Sequence, residues 1–294
     1  MRYRAYAKIN LTLEIVGKRP DGYHDLASLV HTVSLADELR LEPADWLLTW
    51  VEGPAIDHAT NLVTRAAQRL AAALGEPPGA SLSLVKRIPL AAGLGGGSAD
   101  AATTLVGLNA LWRAHLSTHT LSELAAELGS DVPFFIRGGA AVMRGRGDQL
   151  APLPARTDQW LVLLVPPHTL VDKTRQLYAA LESGDFSEGA MTERAAERLV
   201  AGQPLDEYEL VNGFERAARR VFPGLDQMWR SVEALAKRRF FLSGAGPAVF
   251  ALAASRDDAR QTVGRLSQVA ARTYAVRTVK HARASLRRSP IEYP

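Results

Sequence analysis

Cysteine is absent from the 294 residues, which excludes disulfides, thiolate nucleophiles and cysteine-ligated zinc or iron–sulfur centres together. No apolar run approaches the roughly 20 residues that a membrane helix needs; the longest uncharged stretch, Phe240 to Ser255, is interrupted by Gly244, Gly246 and Pro247. The chain opens with Arg2 and Arg4 and passes directly into alternating polar and apolar residues, without the apolar core of a signal peptide. The expectation is a cytoplasmic protein with no membrane partner. A large charge of one sign is missing too: 35 Lys and Arg face 31 Asp and Glu, a net +4, which does not demand a polyanionic partner. Basic residues gather late, at Arg277, Lys280, Arg283, Arg287 and Arg288. No aromatics are interleaved to stack on bases, so the segment reads as a solvated tail and not as a nucleic-acid surface. The seven histidines suggest no dedicated transition-metal site.

Hydrophobic residues make up 47% and charged ones 22%, the balance of a globular protein, and the length suggests roughly two domains. From Ala5 to Ile15 the pattern has period two, placing Lys8 and Asn10 on the same face of a strand. Thr60 is positioned to cap a helix built on Leu62, Ala66, Leu70 and Leu74, and Gly75 with Pro77 stops it. Leu82 and Leu84 suggest a short strand. After a glycine run, Ala101, Leu105, Leu108 and Trp112 mark a second helix, and Thr120 with Glu123 a capping box for a third. Trp160 to Val165 is a continuous apolar run of strand length, so a domain boundary falls near residue 155. Beyond it, Leu210, Phe214, Ala218 and Val221 form one helical stripe, and Leu225, Met228, Val232 and Leu235 another. Phe240–Ser243 and Ala248–Ala253 read as strands joined by Gly-Ala-Gly-Pro, with a last strand at Thr273–Val279. Helices and strands mixed in both halves point to α+β layers.

The strongest local signal is Pro89-Leu90-Ala91-Ala92-Gly93-Leu94-Gly95-Gly96-Gly97-Ser98-Ala99-Asp100. Glycines let backbone N–H groups turn inward, and the helix start behind them carries about half a positive charge. Such a loop is an anion cradle or a tight strand-to-helix turn. It ends in no Gly-Lys-Ser/Thr and lacks the dinucleotide spacing, so the cradle's lysine must come from elsewhere. Ser98 fits a helix cap or a ligand to magnesium, and Asp100 suits the first helical turn, pointing away from a phosphate. Lys8 stands alone as a cation. Asp131 fits a turn cap, or a carboxylate oriented toward a hydroxyl that is to be phosphorylated. Asp21-Gly22-Tyr23-His24 is a turn followed by an aromatic and an imidazole able to stack on and read a base.

In order, Ala7-Lys8-Ile9-Asn10-Leu11, Asp21-Gly22-Tyr23-His24, Pro89 to Ala102, Asp131-Val132-Pro133-Phe134-Phe135 and Ser243-Gly244-Ala245-Gly246 resemble the GHMP small-molecule kinases over nearly the whole chain. The Ala-Lys-Ile-Asn opening and Asp-Gly-Tyr-His resemble the branch that phosphorylates a cytidine diphosphate sugar alcohol in non-mevalonate isoprenoid synthesis. The resemblance implies a two-domain α+β fold: a ribosomal-protein-S5-like α/β domain (1–155) that binds ATP, a ferredoxin-like α+β domain (156–294), and a site in the cleft between them. It implies that Pro89 to Ala99 bind ATP, with Gly93 to Ser98 wrapping its phosphates, that Asn61 lies near the adenine and that Ser98 helps hold Mg2+. Asp131 becomes the catalytic base and Lys8 the stabiliser of the moving phosphoryl group. Asn10, Tyr23, His24 and Tyr178 are assigned to the acceptor, and the protein is expected as a monomer or homodimer. Leu170-Val171-Asp172-Lys173-Thr174 departs from the family's Val-Ser-Thr, Asp148 stands for the usual glutamate, and Pro247 replaces a small polar residue. Two alternatives stay open: a homoserine or mevalonate type of kinase, and a nucleotide-binding regulator without catalysis.

Overall fold

A computed structural model describes residues 1–54, 56–57, 59–75, 77–167 and 170–285; Arg287 and Arg288 lie outside them. The first half runs β1 (Arg2–Asn10), β2 (Glu14–Lys18), β3 (His24–Pro43), β4 (Leu47–Glu52), α1 (Leu62–Leu74), β5 (Ala80–Val85), α2 (Gly96–Leu111), α3 (Thr118–Ala126), α4 (Val132–Arg137), β6 (Ala140–Gly145) and β7 (Gln149–Leu153). The second half runs β8 (Trp160–Val165), α5 (Lys173–Ala179), α6 (Ala190–Val200), α7 (Glu215–Val221), α8 (Leu225–Ala236), β9 (Phe241–Leu242), β10 (Val249–Ala253), α9 (Arg256–Arg265), β11 (Arg272–Arg277) and β12 (Arg283–Ser285).

The strands form two sheets. In the larger, β12, β1, β3, β5 and β4 lie side by side, with β2 and β6 also on β3 and β7 beyond β6. The smaller has the order β11, β8, β10, β9, all pairs antiparallel. The fold is α+β. The apolar run of β8 has a neighbour strand on each edge and a core on each face. Leu161, Leu163 and Val165 pack with Ala7, Ile9 and Leu11 in a core shared by the two halves, while Val162 and Leu164 face Trp229, Phe222 and Phe240 under α7 and α8. The period-two face of β1 is thus spent on joining the halves, and its other face carries Lys8 and Asn10.

Several local readings are corrected. The strand expected over Ala5–Ile15 breaks after Asn10. Asn61, not Thr60, caps α1: its Oδ1 accepts from the Val63 N–H at 2.9 Å, worth about 1 kcal/mol. Ser117, not Thr120, caps α3. Ser98 is not a cap; it is the third residue of α2, behind Gly95 at the cap position. Leu210 and Phe214 precede α7, and α8 buries Trp229 where Leu235 is exposed, because packing rotated the stripe. The last strand, β12, crosses back to pair with β1, and Ala282 joins the first core. A division into 1–155 and 156–294 therefore separates β12 from the sheet it completes. Arg283 is no tail residue: it is half-buried and donates to the carbonyls of Phe135 and Ile136 at 3.2 and 2.8 Å, bracing α4. No described helix is long and apolar enough to cross a membrane.

Candidate active site

The glycine run leaves β5 through Lys86 and enters α2. Gly93 and Gly95 hold φ of +86° and +67°, a region costly for residues with a Cβ. The space is closed to side chains as well: a Cβ on Gly93 would fall 2.3 Å from the Ser243 carbonyl, and one on Gly95 2.8 Å from the Phe135 ring. A cavity of about 510 Å³ opens beside the loop, lined by Asn61, Lys86 and every residue from Pro89 to Ser98. The Ala99 N–H is the first to find its partner within the helix, at Gly95, which leaves the N–H groups of Gly96, Gly97 and Ser98 for an anion. Ala99 itself does not line the cavity; its methyl lies in the core. Asn61 lines the cavity while its Oδ1 is held by the α1 cap.

Three lysines that no glycine-loop motif supplies surround this run. Lys86 is buried below it, its Nζ 3.3 Å from where a Cβ of Gly96 would stand. It donates to Asp37 at 2.5 Å and to Asp100 at 2.7 Å, and Asp37 also accepts from the N–H groups of Arg87 and Ile88. Asp100 therefore serves this triad and not merely the helix end. Burial drives the Asp100 carboxyl well above the ordinary carboxylate range, with Lys86 opposing and Asp37 adding to the rise. Burial pulls Lys86 the other way, but the two carboxylates outweigh it and raise the ammonium. Lys173, at the start of α5, donates to the carbonyls of Ala91 and Gly246.

Lys8 is the third. Its ammonium donates to Asn10 Oδ1 at 2.6 Å and lies 3.5 Å from Asp131 Oδ2. Asp131 stands at the cap position of α4 yet makes no cap hydrogen bond; the carboxylate turns to Lys8 and stays 38% exposed. Asn10, expected on the acceptor, is engaged at both ends of its amide, with Nδ2 donating to Ser28 Oγ at 2.8 Å, and it orients Lys8. A Cβ on Gly244 would stand 3.1 Å from Asn10 Oδ1 and 3.4 Å from Lys8 Nζ. The Gly244–Pro247 turn thus seals one side of this pair as well as linking β9 to β10.

The expected acceptor residues separate into two groups. The rings of His24 and Tyr178 stack at 4.5 Å, 15° apart, joining the first half to the second, and Tyr178 rests edge-on against Phe214. Burial lowers the His24 imidazole below its ordinary value, with Lys18 second, and raises the Tyr178 phenol. Tyr23 is exposed, with the Arg146 guanidinium 4.2 Å above its ring. Sequence reasoning missed Lys86, Asp37 and Lys173. A lysine three residues before Pro89 was the available signal for the first; nothing local announced the others, whose partners are distant in sequence.

A family model, GHMP kinases N terminal domain, matches residues 61–139, and a second, GHMP kinases C terminal, matches residues 194–271. The chain belongs to the GHMP kinase family, whose members use ATP. It is 40% identical over 277 residues to a 4-diphosphocytidyl-2-C-methyl-D-erythritol kinase of Dehalococcoides mccartyi, covering 94% of this chain and 97% of that protein. A protein of the same description from Salinispora arenicola is 42% identical over 90% of this chain and 87% of its own length. The chain superposes on a crystal structure of 4-(cytidine 5'-diphospho)-2C-methyl-D-erythritol kinase with TM-score 0.81 at 37% identity, covering 95% of this chain and 99% of that one. A homoserine kinase from Cytophaga hutchinsonii shares the fold at TM-score 0.71 and 20% identity, over 97% and 96% of the two chains.

Proposed function

We propose that the chain is a cytoplasmic kinase that transfers the γ-phosphoryl group of ATP to the 2-hydroxyl of 4-diphosphocytidyl-2-C-methyl-D-erythritol, giving the 2-phosphate and ADP. The observation that carries this reading is the meeting of Lys8 and Asp131 at 3.5 Å beside the glycine loop, in a chain about 40% identical to kinases of that acceptor over nearly its whole length.

Magnesium-bound ATP supplies the phosphoryl group and the charge neutralisation of its phosphates. The residues present fit it: the N–H groups at the start of α2 suit phosphate oxygens, and Ser98, which lines the cavity, would offer a hydroxyl oxygen to Mg2+. Among the described residues no three His, Asp or Glu side chains form a metal cluster, which suits an ion held chiefly by the nucleotide. Phosphoryl transfer passes through a loose transition state, so positioning and electrostatics do most of the work. Asp131 orients the acceptor hydroxyl and takes its proton; Lys8, fixed by Asn10, stabilises the negative charge that develops on the attacking and transferred oxygens. The His24–Tyr178 stack offers a planar surface and a neutral imidazole for the cytosine, with Tyr23 at the rim.

The test is incubation of the purified protein with ATP, Mg2+ and the cytidine diphosphate acceptor, locating the new phosphate by phosphorus and carbon NMR. Phosphate on the 2-hydroxyl is the expected result. Transfer to homoserine or mevalonate instead, or to another oxygen of the acceptor, overturns the assignment.

A further inference from the structure

The segment that departs from the family pattern, Leu170 to Thr174, places Lys173 where the two halves meet. Its ammonium donates at 2.7 Å to the carbonyl of Ala91, in the glycine loop of the first half, and at 2.5 Å to the carbonyl of Gly246, in the turn of the second. Backbone at and beside this clasp is held in a conformation unfavourable for side chains: the acceptor Ala91 has φ +52° and Asp172, just before the lysine, φ +48°. Left-handed backbone at non-glycine residues persists only where the surroundings enforce it, and gathers at ligand clamps. Gly93 packs directly on the same turn, so the clasp fixes the loop at the point where it bends toward the phosphates.

We propose that Lys173 is a positioning residue of the phosphoryl-transfer site, clasping the glycine loop to the Gly244–Pro247 turn and adding a second ammonium to the field in which Lys8 and Asp131 work. The inference rests on the kinase reading above and deepens it. The groups that bear on Lys173 are Lys8 from β1 and Asp131 from the start of α4; the Ala91 and Gly246 loops contribute only carbonyls. Burial and then Lys8 lower its ammonium to about 8, against the attraction of Asp131. An anion bound at the glycine loop that Lys173 clasps favours the charged form of Lys173. Phosphate binding therefore draws a proton onto Lys173 near pH 8, and the neutral amine that forms at higher pH weakens the nucleotide's hold.

Calorimetric titration of the full-length protein with Mg-ATP, at pH 7 to 9 and in buffers of different ionisation enthalpy, reads both effects, with turnover on the cytidine acceptor measured in parallel. Lys173→Met is expected to weaken ATP binding about tenfold at pH 7, abolish the proton uptake near pH 8 and flatten the alkaline fall. Lys173→Arg, always charged, restores most of the affinity and removes the alkaline limb up to pH 9. It also carries the test alone if the Met variant fails to fold. Lys173→Met with wild-type affinity and pH profile overturns the proposal. So does a loss of affinity that tracks a fall in melting temperature and leaves proton uptake intact. A wild-type protein that binds ATP with this pH signature but does not phosphorylate the cytidine acceptor sinks the substrate reading and leaves the role of Lys173 standing.

Discussion

Two lysine–aspartate groupings flank the same glycine loop, and they are built in opposite ways. Below the loop, Lys86 sits between Asp37 and Asp100 at 2.5 and 2.7 Å with all three side chains almost wholly buried. At the rim, Lys8 meets Asp131 across 3.5 Å, and the carboxylate keeps 38% of its surface. The same residue types serve different ends because of packing. In the buried triad Asp37 also accepts from the N–H groups of Arg87 and Ile88, which fixes the bend from β5 into the loop, while Asp100 Oδ1 is buried without a partner; losing Asp37 strands a charge out of water. A loose, half-open pair contributes little to stability and leaves a carboxylate edge exposed, as the proposed transfer to a hydroxyl requires.

The sharpest way to break this contrast is Asp131→Asn. Turnover is expected to fall about a thousandfold, with ATP affinity and melting temperature retained; unchanged turnover would remove the carboxylate from the chemistry. The reciprocal experiment is Asp37→Ala, expected to cost about 3–5 kcal/mol of stability in urea denaturation, because Lys86 and two backbone N–H groups lose their acceptor. If its stability matches wild type, the triad is not the brace described. With the His24–Tyr178 stack read as the proposed cytosine platform, Tyr178→Leu should raise the KM for the cytidine substrate about tenfold, as the loss of one stacking surface predicts, with the KM for ATP unchanged. An equal change in both would mean that Tyr178 only supports the fold.

The smallest effect concerns pH. His24 is held below its ordinary value of 6.5 by burial and then by Lys18. A depressed imidazole contributes its stabilisation above pH 6.5 and loses it as pH falls through the lower, folded-state value. With the neutral ring read as the proposed cytosine contact, the KM for the acceptor should rise a few fold as pH falls below 6.5 in the wild type and stay flat in His24→Gln. The reverse pattern would show that the charged ring is the one that binds.

Much of this site was legible in the chain. The glycine run offers two readings, an anion cradle or a tight strand-to-helix turn, and the sequence alone does not choose between them. Lys8 and Asp131 were visible as candidates, yet each had a bland reading, because a carboxylate before Val132-Pro133 is also what a helix cap looks like. Only the missing cap bond and the contact with Lys8 separate the two. The 20-residue β3 has no local signature, because its partners β1, β2, β5 and β6 are spread from Arg2 to Gly145. Lys173 was passed over for a similar reason: both of its acceptors are carbonyls more than 70 residues away.

What the amino-acid order determined by itself was local: which stretches bury an apolar face, where the backbone must bend through glycine, and which side chains carry charge. Alternation and turn chemistry act over a few residues and need no partner. Which lysine touches which carboxylate, whether a histidine stacks on a tyrosine from the other half, and where the final strand docks were decided by tertiary structure. Those outcomes depend on two cores closing against the shared face of β1 and β8, and distance and burial, not residue type, then set what each charge can do.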